Sequence, residues 1–548
     1  MPTMSDMKRS WLFLLLWLPC SASAAPPATG MVVAAQPQAV AAGVQMLKAG
    51  GNAFDAAAAT ALALGVVEPA SSGIGGGGFF LLYIAKQHRF LMIDGRETAP
   101  IRAGHGEIYA THSSIDGPVA AGVPGLPAAI DLLVRKYGSR SLRDIAAPAI
   151  RLAKQGFRVT PRLAAMIRWR RAAFNDAARR LFDKREGEWI RQPQLAETLQ
   201  RFARHGARDF YTGETAGRLI GDLRHDGGLI QAEDLRAYRA VERRPIAFDW
   251  QGFHIVSAPL PSSGGLTLAH MFGQLSHDQL GKMSDLERAH LLIEVMKRAW
   301  RDRNTWLGDP AFVEIPADYL NPARLRRLRQ SIRREQATPA AALKGFAEPS
   351  GNGMDTTHFS ILDKDGNMVS ATLSINYPFG SGYVSPATGI VLNDEMDDFA
   401  THPGKPNVYG LVQGKANAVA PGKRMLSSMT PTFVIGPHRT FIVGTPGGSR
   451  IISMVMLAAL GFMLDQTPPD QWVNAPRFHH QYLPDVVQYE PGAFDRRMQT
   501  ALKRRGHALK PLHRRYGNMQ AILYDRASGK VTGISDARGE GVAGQWPR

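Results

Sequence analysis

The sequence has almost no cysteine: among its 548 residues only Cys20 carries a thiol. A single cysteine cannot form a disulfide within the chain, and once the segment around it is removed no thiol chemistry is possible. After the first 24 residues, no run reaches the roughly 18 uninterrupted apolar residues that a membrane span requires. These absences indicate a cysteine-free mature chain that suits an oxidising exported compartment and has no stable membrane anchor.

The basic residues lack interleaved aromatics, although the formal net charge is +18. Much of the excess falls in residues 168–180 and 324–334, where arginines occupy several sides of two predicted helices. We predict no nucleic-acid binding, because grooves that bind single strands stack the bases on aromatic side chains. The two stretches would serve either as solvated faces or as attraction for an anionic substrate or surface.

Two glycine-rich or acidic segments lack the spacing of common ligand loops. The glycine cluster at residues 73–78 has neither the P-loop lysine nor the dinucleotide spacing, which excludes a phosphate cradle. The acidic run at residues 393–399 does not follow the D-x-D-x-D-G pattern of a calcium loop. Neither segment therefore predicts a nucleotide or a calcium ion.

The first 24 residues have the three parts of a signal peptide. Lys8 and Arg9 form a basic start, residues 11–18 form an apolar run, and Ala22-Ser23-Ala24 supplies an A-x-A cleavage site. We expect cleavage after Ala24 and export to the periplasm or beyond. The alternative is an uncleaved anchor, for which the apolar run is short and wrongly flanked.

Strand and helix patterns mix along the rest of the chain, without an internal repeat. Residues 79–83 are apolar on both sides of a strand, which indicates a sheet covered on both faces. Asp365-Gly366-Asn367 joins two strand-like runs, 357–362 and 368–374, and predicts a hairpin. A long apolar helix is expected over residues 450–463. Together these patterns predict a layered α/β or α+β body.

Thr356 follows a loop rich in small residues and opens the first strand of this hairpin. A hydroxyl is a weak nucleophile until a base removes its proton. If the chain is cut between Asp355 and Thr356, the new α-amino group, whose unperturbed pKa lies near 7.7–8.0, supplies a base on the same residue. Without further context, the simpler interpretation of Thr356 is an ordinary strand residue.

Four further features could bind charged groups, and each has a simpler alternative. The four carboxylates within residues 393–399 suit an ammonium or a metal ion, or form a solvated acidic turn. Gly447-Gly448 before a helix could offer amides to an oxyanion, or form a tight turn. Arg96 at a strand end suits a carboxylate, or lies at the surface. Ser427-Ser428 places hydroxyls before a strand and indicates little alone.

In their order and spacing, these features resemble the γ-glutamyltransferase family of N-terminal-nucleophile hydrolases over nearly the whole mature chain. Several such segments in one order would hardly arise by chance. The matching segments are Leu47-Lys48-Ala49-Gly50-Gly51-Asn52-Ala53-Phe54-Asp55-Ala56-Ala57, Gly75-Gly76-Gly77-Gly78-Phe79, Asp94-Gly95-Arg96-Glu97, Asp302-Arg303, Leu307-Gly308-Asp309-Pro310, Thr356-Thr357-His358-Phe359-Ser360, residues 393–399, residues 426–431 and Pro446-Gly447-Gly448-Ser449-Arg450.

The resemblance implies an α+β fold, a four-layer αββα sandwich, and self-cleavage between Asp355 and Thr356. After loss of the signal peptide 1–24, the products would be a large subunit, residues 25–355, and a small catalytic subunit, residues 356–548. The two would stay packed together as a heterodimer. The resemblance implies no metal and no cofactor.

The resemblance also implies roles for individual residues. The implied catalytic residues are Thr356 as nucleophile, Thr357 and Ser374 beside its hydroxyl, and Gly447 and Gly448 as the oxyanion hole. The implied substrate-binding residues are Arg96, Ser427 and Ser428 for an α-carboxylate, Asn376, Glu395 and Asp398 for an α-ammonium, and Tyr409 as a lid over the site. Ser374 stands where the family commonly has threonine, and Tyr377-Pro378 varies a stretch near the site that could change acceptor preference.

The implied reaction is cleavage of a γ-glutamyl donor such as glutathione through an ester on Thr356. The group then passes to water or to an amino acid or peptide. Two alternatives stay open. One is a glutaryl-type β-lactam acylase on the same fold, which would not need Asp398, and the other is a non-catalytic exported glutathione-binding protein that leaves its own chain intact.

Overall fold

The structure, a computed structural model, describes residues 25–343, 356–401, 414–464 and 467–547. The predicted signal peptide 1–24, the predicted subunit end Asp355 and the predicted lid residue Tyr409 lie outside the described residues. Within the described ranges, no helix combines the length and the apolar character needed to cross a membrane.

Strands and helices of the described residues build two large sheets with helical layers outside them. The strands are β1 (Gly30–Ala34), β2 (Gly77–Ile84), β3 (Arg89–Asp94), β4 (Phe157–Arg158), β5 (Trp189–Ile190), β6 (Val241–Arg243), β7 (Ile246–Trp250), β8 (Phe253–Ser257), β9 (Thr357–Leu362), β10 (Met368–Ser374), β11 (Thr432–Ile435), β12 (Arg439–Gly444), β13 (Phe478–His479), β14 (Val487–Tyr489), β15 (Leu509–Pro511), β16 (Gln520–Asp525), β17 (Val531–Ser535) and β18 (Val542–Trp546). The α-helices are α1 (Pro37–Lys48), α2 (Ala53–Val67), α3 (Leu126–Tyr137), α4 (Leu142–Gln155), α5 (Pro161–Arg170), α6 (Asp176–Phe182), α7 (Pro193–His205), α8 (Ala207–Thr212), α9 (Glu214–His225), α10 (Ala232–Ala237), α11 (Gly264–Gln274), α12 (Asp285–Trp306), α13 (Pro322–Gln330), α14 (Ile451–Leu464), α15 (Pro469–Asn474) and α16 (Arg496–Arg504).

The two large sheets each combine strands from both sides of residue 355. The larger sheet has the order β18-β1-β9-β10-β2-β3-β6, and the second has the order β17-β16-β12-β11-β8-β7. All neighbouring pairs in both sheets are antiparallel. Neither the segment before residue 355 nor the segment after it holds either of these two large sheets complete.

Side-chain alternation along the strands gives the larger sheet two buried faces. In β2, Phe80 and Leu82 belong to a core shared with α1, α2 and α4, whereas Phe79 and Leu81 belong to a core shared with the second sheet. Helices α11 and α14 pack on the second sheet. The order helix, sheet, sheet, helix confirms the predicted four-layer αββα sandwich of the α+β class.

Local signals at the start of α2 align this helix with the β9–β10 hairpin. The side chain of Asn52 accepts hydrogen bonds from the N–H groups of Phe54 and Asp55, which caps the helix. The next residue, Ala53, donates its N–H to Asp363 at 2.9 Å. Because Asp363 directly follows β9, this bond fixes the hairpin that begins beside Thr356 against a fully buried helix.

The two basic stretches are helical in part, so the prediction of helical faces holds for α5, α6 and α13 but not for the remaining residues of the stretches. In the first stretch α5 ends at Arg170, and α6 begins after Asn175, whose side chain accepts from the N–H of Ala178 at 2.9 Å. In the second stretch α13 ends at Gln330. A capping asparagine inside a basic run starts a new helix, because its oxygen satisfies an amide that the helix leaves free.

Candidate active site

Thr356 lies at the open end of the β9–β10 hairpin, opposite Ser374. Thr357 pairs with Leu373 at the end of the ladder, and the same register continued by one residue sets Thr356 opposite Ser374. The two hydroxyl oxygens are 3.3 Å apart, and only 5% and 4% of the two residues is exposed. The Ser374 oxygen also accepts a hydrogen bond from the N–H of Asn376 at 2.8 Å. The structure therefore brings the predicted nucleophile and Ser374 together.

Thr357 lies on the opposite face of β9, because successive side chains of a strand alternate. Its buried hydroxyl lies beside the carboxyl group of Glu68, and burial raises the pKa of Glu68 to about 7. Neither Thr357 Oγ1 nor Glu68 Oε2 has a hydrogen-bond partner of ordinary geometry among the described residues. Sequence reasoning missed Glu68, for which an acidic residue at the end of an apolar helix was the available signal. The tuning role of Thr357 stays a prediction.

A pocket of about 330 Å³ opens at Thr356. It includes most of the predicted site residues, together with Arg303, which was not predicted. Its lining residues are Arg96, Arg303, Thr356, Ser374, Asn376, Asp398, Leu426, Ser427, Ser428, Met429, Gly448, Ser449 and Ile451. Residues that are more than 300 positions apart in the chain thus share one small cavity with the predicted nucleophile.

Arg96 is fully buried at the centre of an acidic cluster, so its alternative place at the surface is wrong. Its Nη1 donates to Glu395 at 2.5 Å, its Nη2 donates to Asp398, and its Nε donates to the carbonyl of Met425 at 3.1 Å. Glu97 lies 3.5 Å from the same Nη1. Burial alone would lower the pKa of Arg96, but the attraction of Glu395 and Asp398 outweighs it and raises that pKa. The predicted cation and two predicted carboxylates therefore form one network.

The acidic run is buried, so the alternative of a solvated turn is wrong. It forms a short 3-10 helix, Glu395–Asp398, which Asn393 holds in place. The Asn393 amide donates to the carbonyls of Gly75 and Gly122 at 2.7 and 2.8 Å, and its oxygen accepts from the N–H of Glu395 at 3.0 Å. Burial raises the pKa of Glu395, and the attraction of the contacting Arg96 opposes this rise and favours the charged carboxylate. Its Oε1 has no hydrogen-bond partner among the described residues, and a buried oxygen of this kind suits a cationic ligand.

Asn376 connects the nucleophile hairpin to the acidic run. Its backbone is left-handed, with φ 72°, so the chain turns sharply after β10. Its Nδ2 donates to the carbonyl of Asp394 at 3.1 Å, and the N–H of Tyr377 donates to the Asp394 carboxyl at 2.9 Å. These bonds hold the acidic run beside the end of β10, where Ser374 lies.

Ser427 and Ser428 line the pocket with hydroxyl groups. The Ser427 oxygen accepts a hydrogen bond from the N–H of Met429 at 3.1 Å, and the Ser428 oxygen accepts one from Nη2 of Arg303 at 3.0 Å. Each hydroxyl oxygen thus accepts a hydrogen bond from a protein donor, and the hydroxyl proton stays available for an acceptor in the pocket. Two such protons at one pocket suit an anionic group.

Gly447 and Gly448 carry the chain from β12 towards α14. Their φ angles of 142° and 57° lie in the region that favours glycine. Their N–H groups make no hydrogen bond to another described residue, and Gly448 lines the pocket with Thr356. Free amides at the start of a helix carry partial positive charge, which suits an oxyanion.

Comparisons with known proteins place the chain in a family. Residues 39–546 match the family described as gamma-glutamyltranspeptidase. The chain is 36% identical to the glutathione hydrolase proenzyme of Escherichia coli, over 94% of this chain and 95% of that protein. It is 39% identical to the glutathione hydrolase proenzyme of Pseudomonas aeruginosa, over 95% of this chain and 94% of that protein.

Solved structures with the same architecture include an acylase and a transpeptidase. The cephalosporin acylase from Bacillus halodurans superposes with a TM-score of 0.84 at 29% identity, and the match covers 99% of both chains. The gamma-glutamyltranspeptidase of Helicobacter pylori superposes with a TM-score of 0.54 at 33% identity, covering 57% of this chain and 93% of that chain. Because the family match extends over most of its length, this chain belongs to the γ-glutamyltranspeptidase family and is an enzyme with the N-terminal-nucleophile hydrolase fold.

Proposed function

We propose that this enzyme hydrolyses γ-glutamyl amides, with glutathione as a donor, and also passes the γ-glutamyl group to an amino acid or peptide. One observation carries the proposal: the pocket at Thr356 is lined by the hydroxyl groups of Ser427 and Ser428 and by the carboxyl group of Asp398, which shares the guanidinium of Arg96 with the buried Glu395. A γ-glutamyl group is a zwitterion attached through its side-chain carbonyl, so its recognition needs both kinds of group. The description of both bacterial relatives as glutathione hydrolases supports glutathione as the donor.

The two ends of the glutamyl head would bind opposite groups of the pocket. Its α-carboxylate would accept hydrogen bonds from Ser427 and Ser428 and face Arg96. Its α-ammonium would donate to Glu395 and Asp398, and to the side-chain oxygen of Asn376. The γ-carbonyl, a chain-length away, would then reach the oxygen of Thr356. Tyr409, outside the described residues, is the candidate for a lid over this complex.

The nucleophile would become active when the chain is cut between Asp355 and Thr356. Hydrolysis of that peptide bond frees the α-amino group of Thr356, which can accept the proton of the hydroxyl on the same residue. The description of both relatives as proenzymes supports such processing. Ser374 would hold the attacking oxygen in position.

The reaction would proceed in two steps. The Thr356 oxygen attacks the γ-carbonyl carbon as its proton moves to the α-amine, and the N–H groups of Gly447 and Gly448 stabilise the oxyanion. When the C–N bond breaks, that proton passes to the leaving amine, and a γ-glutamyl ester remains on Thr356. Water then attacks the ester and releases glutamate, whereas an amine forms a new γ-glutamyl amide. Either attack returns the hydroxyl of Thr356.

The two products of self-cleavage, residues 25–355 and 356–548, would stay associated. In the larger sheet β9 lies between β1 and β10, and in the second sheet β8 pairs with β11. If the two subunits separated, each would therefore expose unpaired strand edges and side chains that are now buried in the cores. This interlocking supports a heterodimer of large and small subunits.

A glutaryl-type β-lactam acylase is a second candidate, favoured by the similarity to the cephalosporin acylase of Bacillus halodurans. A glutaryl group carries the carboxylate but no ammonium. Glu395 Oε1, which has no hydrogen-bond partner among the described residues, would then gain none from the ligand, at a cost in desolvation. The acidic cluster therefore favours a γ-glutamyl donor. The non-catalytic alternative has no support, since the chain belongs to a family of enzymes.

A denaturing gel and two chromogenic donors test the proposal. The purified wild type should give two bands, the smaller one starting at Thr356, and should release 4-nitroaniline from γ-glutamyl-4-nitroanilide faster than from glutaryl-4-nitroanilide. The variant Thr356→Ala should give one uncut band and no release. An uncut wild type that still releases glutamate would refute the mechanism, and a preference for the glutaryl donor would refute the substrate assignment.

We also propose that the precursor is exported after removal of residues 1–24. The basic start, the apolar run and the A-x-A site at residues 22–24 support this step. Sequencing of the large subunit from a periplasmic fraction should find Ala25 as its first residue. A large subunit that begins at Met1 would contradict the proposal.

A further inference from the structure

Arg303 is a fully buried cation that lines the pocket of Thr356. Its Nε donates to Ser263 Oγ, its Nη1 to Asn304 Oδ1 and its Nη2 to Ser428 Oγ, each at 3.0 Å. All three acceptors are neutral. Among the described residues, no carboxylate lies within ion-pair distance of Arg303. The guanidinium of Arg303 is therefore hydrogen-bonded, but no described anion in contact with it balances its charge.

Other buried arginines of this protein do contact carboxylates. Arg96 meets Glu395 and Asp398, and Arg298, on the same helix as Arg303, meets Glu294 at 2.6 Å. A buried charge without an opposite partner is costly. Burial accordingly lowers the pKa of Arg303 to about 10, which the more distant Asp398 only partly offsets. Such a cation is expected where a ligand completes the charge balance.

The hydrogen bonds of Arg303 also determine in which direction the hydroxyl groups of Ser428 and Ser263 donate. A guanidinium can only donate, so the Ser428 oxygen must accept, and its own proton is left for a second acceptor. Ser263, which accepts from Arg303, donates its proton to the carbonyl of Ser427 at 2.7 Å. Arg303 thus contacts Ser428 directly and fixes the Ser427 backbone through Ser263.

We propose that Arg303 is a specificity-determining positioning residue that supplies the positive charge for the substrate's α-carboxylate and orients Ser428 towards it. The inference rests on the proposed function and adds a residue to it. Arg96 already contacts Glu395 and Asp398 without a ligand, whereas Arg303 contacts no anion. A bound zwitterion would place its ammonium at the acidic cluster and its carboxylate at the hydroxyls backed by Arg303, so that the buried charge of Arg303 gains an anionic partner.

Two donors that differ only in the α-carboxylate test this role. They are γ-glutamyl-4-nitroanilide and 4-aminobutyryl-4-nitroanilide, which keeps the ammonium and the γ-carbonyl but lacks the carboxylate. We expect Arg303→Gln to raise KM for the γ-glutamyl donor by about 10- to 100-fold, as loss of a charge-assisted contact does. Turnover of the aminobutyryl donor, already poor in the wild type, should change little. Arg303→Lys keeps the positive charge but loses the forked guanidinium group, and it should show a smaller rise in KM.

Arg301→Gln is the matched control for loss of a positive charge on the same helix. Arg301 pairs with Asp302 at 2.5 Å and does not line the pocket, so KM for both donors should stay at the wild-type value. All variants are first shown by denaturing gel to cut themselves into two subunits. If Arg303→Gln stays uncut, the comparison of donors is made with Arg303→Lys.

The outcomes separate this inference from the proposed function. A wild type that does not turn over the γ-glutamyl donor refutes the function itself. If the wild type works but the variant loses activity equally with both donors, Arg303 has only a structural role and the inference is wrong. An unchanged KM for the γ-glutamyl donor in a processed variant would also overturn it.

Discussion

Ser374 and Asn376 are joined by a hydrogen bond of 2.8 Å, in which the backbone N–H of Asn376 donates to Ser374 Oγ. The bond occupies one lone pair of the serine oxygen and restrains its side chain. The oxygen of Thr356 lies 3.3 Å away on the other side. Since the amide can only donate, Ser374 keeps its proton for Thr356, whose oxygen gains negative charge as its own proton leaves.

This arrangement predicts a loss of rate when the Ser374 hydroxyl is removed. In Ser374→Ala we expect kcat for γ-glutamyl-4-nitroanilide to fall by about 10- to 100-fold, because one hydrogen bond to a charged oxygen is lost. KM should change much less, since the hydroxyl faces the nucleophile. Ser374→Thr keeps the hydroxyl and serves as the control. Steady-state kinetics of the processed variants give both constants, and a normal kcat in Ser374→Ala would contradict the assignment.

Glu395 is predicted to discriminate donors by their ammonium group. Glu395→Gln keeps the shape of the side chain but removes its charge beside the pocket. We expect KM for the γ-glutamyl donor to rise by about 10- to 100-fold, while glutaryl-4-nitroanilide, which has no ammonium, should be turned over no worse than by the wild type.

The exposed Glu186 offers a control for this prediction, because Glu186→Gln removes one negative charge from a residue that does not line the pocket. Its KM values should equal those of the wild type. If Glu395→Gln lost kcat/KM equally with both donors, the carboxylate would only support the fold.

Features that depend on neighbouring residues were predictable from the sequence. The turn Asp365-Gly366-Asn367 predicted a hairpin over residues 357–362 and 368–374, and the structure has β9 and β10 with these bounds. Asn52 precedes an alanine-rich run, which is typical of a helix cap, and its side chain caps α2. In both cases the deciding contacts span only a few residues, so local chemistry fixes them.

The candidate site could not be derived from local pattern, because its contacts join distant segments. Arg96 and Glu395 are 299 positions apart, and only the family resemblance assigned both to one substrate. The charges of residues 393–399 read locally as a solvated turn, yet Asn393 buries them against the glycine cluster. Arg303 belongs to the matching segment Asp302-Arg303 but was assigned no role, because a buried cation looks like any helix arginine in a sequence.

Glu68 predicts a pH-dependent contribution to stability. Burial raises its pKa from 4.5 to about 7, so the folded protein binds this proton more tightly than the unfolded chain does. The neutral carboxyl therefore stabilises the fold fully below pH 4.5, and this contribution is lost as pH rises to about 7. A shift of this size corresponds to on the order of 3 kcal/mol.

We expect Glu68→Gln, which stays neutral, to remove this pH dependence. Thermal unfolding of both proteins from about pH 5 to about pH 8 should show the variant gaining stability relative to the wild type as pH rises. Glu97, whose pKa burial also raises to about 7, is present in both proteins and cancels in the comparison. A constant difference in Tm over this range would contradict the prediction.

Gly447 provides the last test, because its backbone conformation disfavours any residue with a side chain. Its φ is 142°, and a methyl group there would come within 2.5 Å of the Met454 side chain. We expect Gly447→Ala to cost about 1–3 kcal/mol of unfolding free energy through strain. It should also lower kcat more than 10-fold, on the order of one lost oxyanion donor, as the amide moves from its position.

Gly252→Ala separates strain from catalysis in this prediction. Gly252 also has a positive φ, 85°, but a methyl group there would meet no atom within 4 Å, and it lies outside the pocket. Its variant should lose some stability in thermal unfolding and keep the wild-type kcat. If Gly447→Ala lost only as much kcat as Gly252→Ala, the two glycine amides would not be the groups that stabilise the oxyanion, because displacing such a donor must raise the barrier to attack by Thr356.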